Sequence, residues 1–217
     1  REKDWGKEKV FREGQAEQVL DNLFFDFIDL AKELQPKVVV AENVSGLMMG
    51  SAKDYVKRIY IEFQKAGYEL RIEPYLLDAS KMGVPQRRRR VFFIAIRKDL
   101  SNQFMEQIDM FQIAPKLDLE FNDKEIKTKI FLENNNRKKL TNSVQKYYDK
   151  RLENEFCLGE TAERLGKRSH FNYMIINPEK SSYTVTGKEN LIYKNGYLTD
   201  NELMKIGSYP LDYNFLN

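Results

Sequence analysis

The sequence runs to 217 residues, 41% hydrophobic and 32% charged, enough apolar material for one full domain or a domain with a smaller attachment and too much for a disordered chain. With 36 basic and 33 acidic residues the net charge is +3, too small by itself to point to a polyanionic partner. No apolar run reaches the roughly 20 residues that cross a bilayer; Arg1 to Glu8 are charged rather than signal-like, and one cysteine (Cys157) with one histidine (His170) excludes a disulfide framework and offers no zinc site. The expected location is therefore the cytoplasm, and no metal is expected.

In chain order, Val19, Leu20, Leu23, Phe24, Phe27, Ala31 and Leu34 recur at three- and four-residue spacing and predict a helix over 15–34, closed by Pro36. Val38-Val39-Val40-Ala41 is short, β-branched and apolar at successive positions, which predicts a parallel strand buried on both faces and ending at the polar pair Glu42-Asn43. A second helix begins at Ser51, where Ser51 and Asp54 are spaced as a capping box; Tyr55, Val56, Ile59 and Phe63 share a face, and Gly67 stops it. A strand over Tyr68 to Leu77 completes a strand-helix-strand unit with parallel strands. Arg90 to Ile96 follows after too short a connection for another crossover, so it is expected to run antiparallel to its predecessor. The expected core is a mixed α/β sheet. Beyond about residue 100, Asn134-Asn135-Asn136, Arg137-Lys138-Lys139 and scattered aromatics sustain no period, and a second, irregular domain is expected there.

Glu42 stands where the first strand ends, the place where open α/β sheets bind ligands. In a partly dry pocket such a carboxyl favours its neutral form and can donate a proton or hydrogen bond; a strand-end carboxylate also commonly caps a loop or pairs with a nearby base. The densest basic feature is Arg87-Arg88-Arg89-Arg90, leading into Val91-Phe92-Phe93-Ile94. If the strand begins inside that run, alternation places Arg88 and Arg90 on one face and Arg87 and Arg89 on the other, one pair available to a nucleotide base and the other to backbone phosphates or acidic partners. A solvated charge run is the plainer alternative. Gly83-Val84-Pro85-Gln86 supplies a constrained turn ahead of it. Cys157, within Glu155-Phe156-Cys157-Leu158-Gly159, has no adjacent base or evident helix start to make it a nucleophile and reads as a small packing residue.

Three of these segments, in order, resemble the C-5 cytosine-specific DNA methyltransferases. Glu42-Asn43-Val44 looks like the family's Glu-Asn-Val motif, whose glutamate contacts the N3 edge of the target cytosine. Gly83-Val84-Pro85-Gln86-Arg87-Arg88-Arg89-Arg90 resembles the Gly-hydrophobic-Pro-Gln-x-Arg-x-Arg motif, with Arg88 and Arg90 at its two arginine positions. Leu198-Thr199-Asp200-Asn201-Glu202 and Tyr209-Pro210-Leu211-Asp212-Tyr213 are similar to the Leu-Thr-x-x-Glu and Phe-Pro-x-x-Phe segment, with tyrosine at both phenylalanine positions. Leu23-Phe24-Phe25-Asp26 looks like the helix whose leucine packs on the adenine of S-adenosylmethionine, and Thr184-Val185 resembles the Thr-hydrophobic pair of the target-recognition domain.

The resemblance implies a partial Rossmann-like class I methyltransferase domain in 1–100, a variable target-recognition region in 101–197, and a segment returning toward the catalytic domain in 198–217. It implies S-adenosylmethionine as cofactor, double-stranded DNA as partner, Glu42, Arg88 and Arg90 as catalytic residues, Leu23 at the cofactor, and Arg87, Arg89, Thr184 and Val185 at DNA. A restriction-modification role in a bacterium or phage follows. The family's Phe-x-Gly-x-Gly loop, Pro-Cys nucleophile motif and terminal Gly-Asn-Ser segment have no counterpart in the sequence, which also opens on Arg1 rather than methionine. The expectation is a piece of a longer enzyme, inactive alone, with the missing segment in cis or on another chain. A DNA-binding subunit of a split methyltransferase and an RNA cytosine methyltransferase are the alternatives.

Overall fold

The computed structural model describes residues 23–48, 52–108, 110, 113–133, 137–167, 172–187, 190–210 and 212–213. They fall into two compact units, one of 1–77 with 89–120 and one of 78–88 with 121–217. The part of the first expected helix before Leu23, the capping residue Ser51, His170 and Asn134-Asn135-Asn136 lie outside the described residues.

The first unit opens with helix α1 (Leu23–Leu34), which ends where Gln35 takes a left-handed backbone (φ 47°) ahead of Pro36. Strand β1 (Val38–Val44) follows and passes through a short 3-10 turn at Ser45–Met48 into helix α2 (Ala52–Lys65). Gly67, at φ 93°, then makes the reversal that only glycine adopts without strain. The single strand expected over Tyr68 to Leu77 is two: β2 (Tyr68–Glu69) and β3 (Tyr75–Asp78). Pro74, which has no N–H to give a ladder, stands in the gap between them. Strand β4 (Arg89–Arg97) leads into a single helical turn, α3 (Lys98–Ser101), and the hairpin of β5 (Met105–Gln107) and β6 (Ile113–Pro115).

Both β1 and β2 pair antiparallel with β4, in the order β1-β4-β2, and β3 also pairs with β4. β1 and β2 therefore run in one direction, as their strand-helix-strand link requires, but β4 lies between them. The expectation that β1 is buried on both faces is corrected. Val39 and Ala41 are buried with Phe93 and Ala95 under Ile28 and Ala31 of α1 and Ile59 and Phe63 of α2. Val38, Val40 and Val44 are 49%, 55% and 56% exposed on the opposite face. The β-branched run reflects strand propensity at all positions, whereas burial within the described residues follows period two.

The second unit is more ordered than its sequence implies. After a 3-10 turn at Thr128–Ile130 come helices α4 (Asn142–Tyr148) and α5 (Leu158–Arg164). A small sheet follows in which β7 (Met174–Ile175) pairs parallel with β8 (Leu191–Tyr193), and β8 pairs antiparallel with β9 (Gly196–Tyr197). Helix α6 (Asp200–Ile206) closes the described part, and Leu198 and Ile206 pack there with Ile176 and Leu191. Elements of two to seven residues leave too few repeats for a period to show.

Two buried carboxylates tie this unit together. Glu202 is fully buried; it accepts from the backbone N–H of Glu133 at 2.8 Å and of Thr199 at 2.9 Å, and pairs with Arg137, itself nearly buried. Thr199 accepts from the Glu202 N–H in return, completing a capping box. Glu155 accepts from Arg164 Nε at 2.6 Å, from the Leu152 N–H at 2.9 Å and from the Thr161 hydroxyl at 2.8 Å. Chiefly through Arg164, and secondarily through the Leu152 N–H, its carboxyl is held down at about 2 against a usual 4.5.

Two outcomes follow. Glu202→Ala strands the Arg137 guanidinium in a buried site and is expected to cost about 3–5 kcal/mol, read as a shift of the denaturant midpoint with unchanged slope. For Glu155, whose folded pKa is depressed, the contribution is complete above the usual 4.5 and is lost as pH falls from there toward about 2. Unfolding midpoints measured from pH 6 to 2.5 should fall less steeply in Glu155→Gln than in the parent chain.

Candidate active site

Glu42 is the fifth residue of β1, and its place is set by the ladder with β4. The register pairs Glu42 with Phe92 and Val44 with Arg90. Paired and i±2 positions share a face, so Glu42 and Arg90 lie diagonally on the same side of the sheet. Arg90 Nε donates to Glu42 Oε1 at 2.7 Å, and Arg90 Nη1 donates to the carbonyl of Arg89 at 2.8 Å. The dry pocket expected around Glu42 is corrected to a rim: its side chain is 47% exposed and that of Arg90 is 21% exposed.

Beside the carboxylate, within the same unit, lies an open cleft of about 390 Å³ walled by Leu23, Phe24 and Phe27 of α1, Val40 to Asn43 of β1, and Tyr55 of α2. Phe24 is held edge-on against Phe93 at 5.2 Å and Tyr55 at 6.4 Å between ring centroids, which fixes the cleft floor. Leu23 and Phe27 leave apolar surface exposed at the mouth. Leu23 and Glu42 thus both line one cleft, whose apolar wall is suited to the face of a planar ring. Leu23, Phe24 and Phe27 are the residues there whose apolar surface fits the flat face of a nucleoside base. Among the described residues no group of three His, Cys, Asp or Glu is disposed to hold a metal ion.

The arginine run divides. Strand β4 begins at Arg89, so alternation orders Arg89 and Arg90 but does not by itself group Arg88 with Arg90. Arg87 and Arg88 belong to the second unit, with the loop that carries them. There Asp78 accepts from the N–H of Ser80 at 3.1 Å and from its hydroxyl at 2.9 Å, and Gly83 turns the chain at φ 74°, a left-handed position that favours glycine. Gln86 is buried, Arg87 is half-buried and Arg88 is exposed. Thr184 gives its hydroxyl hydrogen to the Arg87 carbonyl at 2.8 Å, and Val185 packs on the Ile176, Leu191, Leu198 and Ile206 cluster. Arg89 is exposed.

Cys157 is half-buried at the residue that opens α5, bridged to Met174. The expectation that no helix starts there is corrected; a seven-residue helix containing Gly159 gave too weak a pattern. Tyr183 went unnoticed in the sequence because its partner, Arg87, lies far away along the chain; the guanidinium stands 4.4 Å from the ring centroid. Tyr209 and Tyr213, at the two aromatic positions of the last motif, meet with ring centroids 5.2 Å apart.

Residues 5–217 match the family described as C-5 cytosine-specific DNA methylase. The chain belongs to that family. Relatives of this methylase chain include Type II methyltransferase M.FnuDI of Fusobacterium nucleatum, 44% identical over 79 residues that make up 36% of this chain and 22% of the relative. Type II methyltransferase M.NgoPII of Neisseria gonorrhoeae is 40% identical over 82 residues, 38% of this chain and 24% of the relative. The orphan methyltransferase M.Rho11sI of Bacillus phage rho11s is 37% identical over 90 residues, 42% of this chain and 17% of the relative. The matched stretches thus span about a quarter or less of these relatives' length. In fold, the methylase chain is similar to a DNA modification methyltransferase encoded within an E. coli prophage, with a TM-score of 0.53 at 18% identity over 88% of this chain and 64% of the other. It is also similar to a substituted Spodoptera frugiperda DNMT2, with a TM-score of 0.51 at 15% identity over 96% and 68%. These likenesses carry the mixed α/β, Rossmann-like fold. No described helix is long and apolar enough to cross a membrane.

The Glu42–Arg90 pair is too exposed to be a major source of stability, since water screens such pairs to about 0–1 kcal/mol. A double-mutant cycle of Glu42→Gln and Arg90→Gln is expected to give a coupling below about 1 kcal/mol in chain stability. A coupling of several kcal/mol would show the pair to be structural first.

Proposed function

We propose that this chain is part of an enzyme that moves a methyl group from S-adenosylmethionine to C5 of a cytosine flipped out of double-stranded DNA, in a restriction-modification setting. The observation that carries the reading is the Glu42–Arg90 pair, 2.7 Å apart on one sheet face, beside the cleft that Leu23 and Phe27 wall with apolar surface. A carboxyl and a guanidinium so placed match the N3 and O2 edge of cytosine: one group for the ring nitrogen, the other for the carbonyl oxygen.

Cytosine C5 is a weak nucleophile, and addition of a thiolate to C6 makes it enamine-like. Negative charge then builds on the ring. A proton shared between the Glu42 carboxyl and N3 would offset it, while Arg90 would turn from the carboxylate to O2. Arg88, at the other arginine position of the motif, is assigned to the same reaction, and exposed Arg89 to a backbone phosphate. The cofactor supplies an electrophilic methyl group. Leu23 and Phe27 offer its adenine an apolar face, and Asn43 a polar neighbour.

The thiolate is not Cys157, which sits in the second unit within a Glu-Phe-Cys-Leu context. It is assigned to further polypeptide, in cis or on another chain. Residues 1–100 are assigned to the catalytic domain, 101–197 to target recognition and 198–217 to the return toward the catalytic domain; the described part of that last segment packs in the second unit.

The test uses the full-length protein as encoded, a methyl-labelled donor, and duplex DNA against transfer RNA as competing acceptors. Label is expected at C5 of cytosine in the duplex. Glu42→Gln should slow single-turnover transfer by about 10²-fold or more, with duplex affinity at fixed salt within about threefold. Equal losses of rate and affinity would contradict the role of Glu42, labelling confined to transfer RNA would contradict the substrate, and activity appearing only on mixing with a separate chain would identify a split enzyme.

A further inference from the structure

We propose that Tyr183 and Thr184 clamp the arginine loop and are positioning residues for the arginine that follows it; the proposal rests on the methyl-transfer reading and assigns a part to residues outside the cleft. The clamp is built from backbone and side chain together. Gln86 and Ser182 form a parallel bridge, the Arg87 N–H donates to the Ser182 carbonyl at 2.8 Å, and the Ser182 N–H donates to the Pro85 carbonyl at 3.1 Å. Gln86 and Ser182 are buried at 5% and 1% exposure, so these bonds are shielded from competing water. Thr184 Oγ1 then donates to the Arg87 carbonyl at 2.8 Å, and the Arg87 guanidinium lies over the Tyr183 ring with its centroid 4.4 Å away. Arg87 Nε is buried with no hydrogen-bond partner, and the electron-rich Tyr183 ring face lies against the guanidinium.

Position in the chain gives the clamp its consequence. Gly83, at φ 74°, and Pro85, with its fixed backbone angle, preset the approach. The Arg87 carbonyl belongs to the peptide plane that joins Arg87 to Arg88, so the Thr184 bond fixes the direction in which Arg88 leaves the backbone. Tyr183 and Val185, on either side of Thr184, pack against Ile176, Leu191, Leu198 and Ile206, which roots the clamp in the core of the second unit.

The experiment compares Thr184→Val and Thr184→Ser in the full-length protein, reading single-turnover methyl transfer at saturating duplex, duplex affinity across salt concentrations, and thermal midpoint. Thr184→Val, nearly isosteric but without the donor, should lower the rate about tenfold or more with affinity and salt slope unchanged and a fall in midpoint of only a few degrees; Thr184→Ser should restore the rate to within about twofold. Tyr183→Leu should lower the rate in the same direction. An unchanged rate in Thr184→Val overturns the clamp. So does a loss confined to affinity with a shallower salt slope, which marks a phosphate contact, or a rate loss matched by a larger fall in midpoint, which marks a merely structural role. A parent protein that methylates no nucleic acid would instead overturn the functional reading, and the positioning role with it.

Discussion

The register between β1 and β4 is the constraint on which the site depends. Side chains alternate along a strand, so sliding β1 by one residue would turn Glu42 toward α1 and α2 and bring Asn43 out in its place. What holds the register is the opposite face, where Val39 and Ala41 interlock with Phe93 and Ala95 under Ile28, Ile59 and Phe63. Slippage would expose that apolar set and bury a charge. The core residues, which touch no reacting group, thereby set the diagonal that puts the Arg90 guanidinium against the Glu42 carboxylate.

The second unit is held by different means. Its hydrophobic clusters are small, and buried polar hubs supplement them: Glu202 gathers Arg137 with the backbone at 133 and 199, and Glu155 gathers Arg164, Thr161 and the backbone at 152. A charge held by several donors in a buried site specifies one arrangement, because each donor left unpaired would carry a desolvation penalty. The loop ending in Arg87 and Arg88 is fastened to this unit rather than to the strand it precedes. The second unit therefore holds the backbone from which Arg88 departs.

Much of the first unit was legible in the sequence because its signals are local and repeated. The helices around Phe24 and Ile59 carry a clear 3.6 period, Gly67 and Pro36 punctuate them, and the β-branched run announces β1, although the strand runs past Glu42 to Val44. Antiparallel pairing of the segment containing Arg90 was legible from the shortness of its connection. Three features were not. Pro74 divided one expected strand into two, the outer face of β1 proved exposed, and β4 began two residues too late for alternation to order all four arginines. In the site, Glu42, Arg90 and Leu23 came from motif and position, whereas the Tyr183–Arg87 stack depends on residues about a hundred positions apart that only tertiary folding brings together.

The central claim is that the carboxyl of Glu42 and the guanidinium of Arg90 meet the same unstacked pyrimidine. A crystal structure of the full-length protein bound to a duplex containing its target cytosine tests this most directly. The account places the base out of the helix, N3 within hydrogen-bond distance of Glu42 and O2 within reach of Arg90. A base bound elsewhere, with the carboxylate and guanidinium still paired to each other as they are here, would contradict it.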